Sequence, residues 1–137
     1  MFGRISPIRN GQANLRAMSQ VTIFHNPGCS TSKYAVEQAE EAGVDFQVVK
    51  YMLKAERPTE QQLNEILDKL EDPPTDIVRR DANFKKLGLT DEMVQTREQV
   101  LAVLLELPAL LQRPILVKGD RAIVGRPKSR VPVFLGV

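Results

Sequence analysis

The apolar positions of this chain alternate between short runs and helical spacing, and each change of period marks an element. Val21–Phe24 reads as a short buried strand. Residues 31–42 then place Tyr34/Ala35, Gln38/Ala39 and Ala42 near helical spacing, and Gly43 ends that helix. Val44 and Phe46–Val49, running into Tyr51-Met52-Leu53, predict a second strand. Strand, helix and strand within about 30 residues form a βαβ unit, whose strands are expected to be parallel.

The middle of the chain is helical in pattern. Pro58-Thr59 opens a helix with Thr59 as cap, Gln62 at the capping-box position, and Leu63, Ile66, Leu67 and Leu70 on its apolar face. Asp72-Pro73-Pro74 breaks it. Asp76 is then placed to cap a short helix carrying Ile77, Val78 and Arg79. Residues 90–107 predict a further helical region in two pieces, with Val100, Val103, Leu104 and Leu107 on its later face. Beyond it the period shortens again. Pro114-Ile115-Leu116-Val117 and Ala122-Ile123-Val124 read as strands joined by a tight turn at Gly119-Asp120. A last helical segment is expected from Pro127, limited or displaced by Pro132. The order predicts an α/β fold: a small mixed sheet with a helical insertion between an N-terminal βαβ unit and a C-terminal β-hairpin.

A length of 137 residues suits one domain with a real core, here residues 21–137. Residues 1–20 hold Arg4, Arg9 and Arg16 among Gly, Pro and Asn, lack the apolar run of a secretory signal, and are expected as a flexible basic extension. No segment approaches membrane-spanning length, so a cytoplasmic protein without membrane attachment is expected. The net charge of +2 conceals a pattern. Residues 1–36 carry four basic and no acidic side chains, residues 37–112 sum to −7, and residues 113–137 sum to +5. A fold that joins the two ends would build a basic pocket. Nucleic acid is not an expected partner, because no basic run interleaved with aromatics is present.

One cysteine, Cys29, lies in His25-Asn26-Pro27-Gly28-Cys29-Ser30-Thr31-Ser32, between the first strand and the first helix. A thiolate there is stabilised by the unpaired N–H groups and dipole of the helix N-terminus, which makes Cys29 a candidate nucleophile. Packing as a small buried hydrophobe is the competing role for a free cysteine. Having no second thiol, the chain can form no intrachain disulfide or CxxC pair, so any redox chemistry needs a thiol from another molecule. With one histidine as well, a structural zinc site is not expected. His25 is placed to order the loop or favour the thiolate. Arg79, Arg113 and Arg126 adjoin predicted rigid elements, and guanidinium forks match tetrahedral oxyanions. Pro114, opening a strand beside the cysteine, is a candidate for a cis peptide bond.

These residues resemble those of the thioredoxin-fold arsenate reductases of the glutaredoxin-dependent type. The resemblance runs from Val21 to about Arg130. It is carried by His25 to Ser32, Tyr51-Met52-Leu53, Ile77-Val78-Arg79-Arg80, Leu87-Gly88-Leu89, Arg113-Pro114-Ile115-Leu116-Val117 and Gly125-Arg126-Pro127. It implies a thioredoxin-like sheet, Cys29 as nucleophile, and Arg79, Arg113 and Arg126 as holders of the oxyanion. It further implies that His25 and Ser32 tune the thiolate and that Pro114 is cis. Arsenate or a similar oxyanion is the implied substrate, glutathione the co-substrate and a glutaredoxin the protein partner, with no bound cofactor or metal and a monomeric state. Two alternatives on the same fold are a thiol-dependent reductase of another small substrate and a non-enzymatic protein-binding regulator. Such regulators often carry a CxxC switch, whereas Asn26 and Ser32 flank Cys29 here.

Overall fold

The computed structural model describes residues 20–136, so the expectation for the N-terminal extension lies outside the described residues. Four strands form one sheet in the order β2-β1-β3-β4: β1 (Val21–Phe24), β2 (Phe46–Val49), β3 (Ile115–Lys118) and β4 (Arg121–Val124). β1 runs parallel to β2 and antiparallel to β3, and β3 pairs antiparallel with β4 across the Gly119-Asp120 turn. This is the thioredoxin-like arrangement expected from the β-α-β, helices, β-β order. Among the described residues no helix is long and apolar enough to cross a membrane.

The sheet separates two apolar layers because side chains alternate across it. Val21 and Ile23 of β1, Leu116 and Ile123 face α1 (Ser30–Ala42), through Ala35 and Ala39, and α5 (Arg130–Leu135), through Val131, Phe134 and Leu135. Phe24, Ile115 and Val124 face the insertion. There α2 (Glu60–Lys69) contributes Leu63, Ile66 and Leu67, α3 (Ala82–Lys86) contributes Phe84, and α4 (Arg97–Glu106) contributes Val100 and Leu104. Capping boxes at Thr59/Gln62 and Thr96/Gln99 start α2 and α4. Each satisfies N–H groups that the first turn leaves unpaired. The second box also explains why residues 90–107 form two pieces, a 3-10 turn over Asp91–Val94 and then α4.

Three expected boundaries are corrected. β2 ends at Val49 and does not run on through Tyr51-Met52-Leu53. The Lys50 N–H turns to the Glu56 carboxylate and Leu53 N–H closes a turn onto Lys50 C=O. Asp76 caps nothing: it lies inside a 3-10 turn, Pro74–Ile77, preceded by Pro73. Arg79 follows that turn in extended chain, where Val78 bridges Leu111 and Arg79 N–H donates to Leu110 C=O at 2.8 Å. The last helix begins at Arg130 rather than Pro127, whose peptide bond to Arg126 is cis. Pro132 sits in its first turn, where no intrahelical N–H donor is required.

Strand register places the site. Phe24 is opposite both Val49 and Ile115, and Ile115 is opposite Val124. The chain leaving β1, the chain leaving β2, the chain entering β3 and the chain leaving β4 therefore share one end of the sheet. Those four segments carry Cys29, Tyr51, Arg113 and Arg126.

Candidate active site

Cys29 is the N-cap residue of α1, so its sulfur lies beside the first N–H groups of that helix. The loop before it is closed by its own polar atoms. Asn26 C=O accepts the Cys29 N–H at 3.0 Å, and the Asn26 side chain accepts the Gly28 N–H at 2.8 Å. The Ser32 hydroxyl, fully buried, accepts the Asn26 N–H at 3.0 Å and lies 2.6 Å from His25 Nδ1. His25 is itself buried, and its pKa is held below the usual histidine value by that burial and by Lys50 and Lys33. The imidazole is thereby biased to its neutral form. With its ring proton on Nε2, Nδ1 accepts the Ser32 proton, and the loop is tied to the first turn of α1.

The Cys29 side chain is nearly buried, with 9% of the residue exposed. Burial pushes its thiol up. Against this, the Ser32 N–H, the Arg113 guanidinium, the Thr31 N–H and the charge of Arg126 pull it down, and the net result lies below the ordinary thiol value. Arg126 Nη2 donates to the sulfur at 3.2 Å, and its Nε donates to Arg113 C=O at 2.7 Å. Arg113 stands before cis Pro114 at the start of β3. Its Nε is buried and has no hydrogen-bond partner among the described residues. A buried cationic N–H without an acceptor is costly to the protein alone and favours an incoming anion.

Arg79 is held differently from this pair. Its guanidinium lies 3.7 Å from Asp81, and its backbone is joined to the strip that leads from Leu110 toward Arg113. The structure thus gathers Cys29, His25, Ser32, Arg113 and Arg126, with Arg79 paired to a carboxylate nearby in sequence. Tyr51 belongs here too, although the sequence singled it out only as part of a resemblance. Its buried hydroxyl donates to Leu111 C=O at 3.0 Å. Burial pushes its pKa up to about 12 despite Arg113 and Arg126, so it remains a neutral donor. The signal for it was a tyrosine directly after an apolar strand, which does not distinguish a site residue from core.

Fold and site together define a thioredoxin-like α/β protein with a single thiol at a helix N-terminus, under two guanidinium groups. A family model for the ArsC family matches residues 24–134, and the chain belongs to that family. It is 35% identical over 120 residues to the arsenate reductase of Neisseria meningitidis serogroup A, spanning 86% of this chain and 100% of that protein. It is also 32% identical over 119 residues to the uncharacterized protein YfgD of Escherichia coli K12, spanning 85% and 98%. The structure of an arsenate reductase from Vibrio cholerae superposes with a TM-score of 0.71 at 30% identity, covering 82% of this chain and 95% of that one.

Proposed function

We propose that this protein reduces arsenate to arsenite through Cys29, using glutathione and a glutaredoxin as external thiols, as a cytoplasmic monomer without a bound cofactor. The observation that carries this reading is the Arg126 guanidinium 3.2 Å from a sulfur that Arg113 also faces. The candidate nucleophile and oxyanion donors occupy one site, and proteins to which the chain is similar over more than 80% of its length are named for this reaction.

The steps follow from that geometry. The Cys29 thiolate attacks arsenic, a protonated oxygen leaves as water, and an S–As bond forms with arsenic still pentavalent. Arg113 and Arg126 hold the remaining oxygens and offset the charge that develops on them. Arg79 joins them by exchanging Asp81 for the oxyanion. A glutathione thiolate then attacks the Cys29 sulfur. The S–As electron pair departs with arsenic, which leaves as trivalent arsenite, and Cys29 is left in a mixed disulfide with glutathione. A glutaredoxin thiolate attacks the glutathione sulfur and releases Cys29 as thiolate. Two electrons pass from two external thiols to arsenic. The depressed pKa helps twice, supplying thiolate for the first attack and a good leaving group in the last.

The test is arsenite release by the purified protein with arsenate, glutathione and glutaredoxin. Turnover is expected for the native chain and none for Cys29→Ser, with the two proteins melting as folded domains. Absence of turnover across a wide arsenate range would overturn the reading and favour another small substrate or a regulatory role.

A further inference from the structure

Arg126 lies in the connection from β4 to α5, residues 125–129, which has no regular structure to hold a guanidinium in place. Two side chains outside the site grip that connection at both ends. Asp72, in the turn after α2, accepts the N–H of Val124, the last residue of β4, at 3.0 Å. It also receives both prongs of Arg130, the first residue of α5: Nη1 to Oδ2 at 3.2 Å and Nη2 to Oδ1 at 3.1 Å. Arg130 Nη1 donates further to Val124 C=O at 2.9 Å and reaches Arg126 C=O at 3.5 Å. The Asp72 side chain is 15% exposed, so this pair is screened far less than a surface one. Asp72 is itself anchored: Glu71 N–H donates to Ala122 C=O at 2.9 Å, and Leu70 bridges Ala122.

We propose that Asp72 and Arg130 are positioning residues for this site, their ion pair clamping the β4–α5 connection and so holding the Arg126 guanidinium on the Cys29 sulfur. The forked geometry suits this task, since one planar group meets a carboxylate and two backbone carbonyls together. The proposal rests on the reading of Cys29 as a nucleophile kept under arginine control. It requires nothing about arsenate.

The test measures the pH dependence of Cys29 alkylation by iodoacetamide in the full chain, with thermal melts to confirm folding. Asp72→Ala separates two effects by sign. Removing a negative charge would, through space alone, favour the thiolate and lower the midpoint. Releasing the clamp lets Arg126 leave the sulfur and raises it. A raised midpoint is expected, with alkylation below it slower by roughly twofold to fivefold, the loss of thiolate that a shift of a few tenths of a pKa unit or more produces. In an Arg126→Ala background Asp72→Ala should then cause no further rise, because the residue it positions is gone. Arg113 and Tyr51, which also act on the sulfur, are unchanged in each variant. Arg130→Lys keeps the charge but loses the fork, and gives the same slowing in a protein whose net charge is untouched. It also serves if Asp72→Ala does not fold. A midpoint at or below that of the native chain in Asp72→Ala, native behaviour in Arg130→Lys, or an undiminished shift without Arg126 would each overturn the proposal. Because the probe is an alkylating agent, a protein without arsenate turnover leaves this result intact.

Discussion

Adjacent arginines in this chain meet opposite fates, and the difference lies in which acceptors reach them. Arg80 gives its guanidinium to Thr75 C=O, Val78 C=O, the Thr75 hydroxyl and Asp91, and it covers the Phe84 ring. It is a brace of the insertion. Among the described residues, the Arg79 guanidinium has only the longer contact to Asp81, which an oxyanion can replace. Composition marks both as basic, and the distinction is made in the fold by carbonyls two and five residues before Arg80 and by Asp91. Tyr51 shows the same limit from the apolar side. Its hydroxyl is buried on Leu111 C=O, and a phenylalanine would fill the volume but leave that carbonyl short of a donor. Tyr51→Phe is expected to lower stability by about 1–2 kcal/mol in urea unfolding, the usual cost of a buried acceptor losing its partner. A change within about 0.5 kcal/mol, the range of ordinary surface substitutions, would show that this hydrogen bond contributes nothing net.

Elements with local signatures were legible, and those set by distant partners were not. The strand–helix–strand opening, the Thr59 box, the hairpin and the break within residues 90–107 each rest on residues a few positions apart. The short α3, by contrast, is five residues long and is held by the Asp81 cap and the burial of Phe84, with no periodic face to announce it. The end of β2 depends on Glu56, six residues beyond Lys50, and the start of α5 on a remote carboxylate. Cys29, His25 and Ser32 were legible because their loop is one contiguous motif. Asp72 and Arg130 were not, since they meet across 58 positions of sequence. Gly125 is legible only with the fold in hand. A Cβ there would lie 2.7 Å from Leu116 Cδ1 and 2.7 Å from the Pro114 ring, while its N–H is bound to Pro114 C=O at 2.8 Å. Leucine can rotate away and the proline ring has little freedom. Gly125→Ala is therefore expected to push β4 from β3, at a cost of about 1–3 kcal/mol for overpacking, and to raise the midpoint of Cys29 alkylation by moving Arg126. Native stability together with a native midpoint would show that the two backbones can separate there freely.

At the scale of the whole molecule, the basic C-terminal stretch meets the Cys29 loop because β1 and β3 are neighbours at the centre of the sheet, with β4 beside them. The acidic middle covers one face and leaves Cys29 beside the cations Arg113 and Arg126. Such an arrangement ties folding to proton release. Cys29 has a folded pKa below the thiol value of 9.0, so between its folded pKa and 9.0 the unfolded chain holds a proton that the native protein has lost. Stability must rise with pH across that window and level off above it. His25, depressed below 6.5, acts in a separate window: below 6.5 the unfolded chain takes up a proton first, and stability falls as the solution is acidified. Cys29→Ser removes the first contribution and keeps the second. Urea unfolding across pH 5 to 9 should therefore give native and variant curves that run parallel on the acid side. They should diverge as pH approaches 9.0, with the native protein gaining. Curves that stay parallel to the alkaline end would mean that the folded protein holds its thiol no more acidic than an unfolded chain does. The convergence of charge at this end of the sheet would then have no grip on the sulfur.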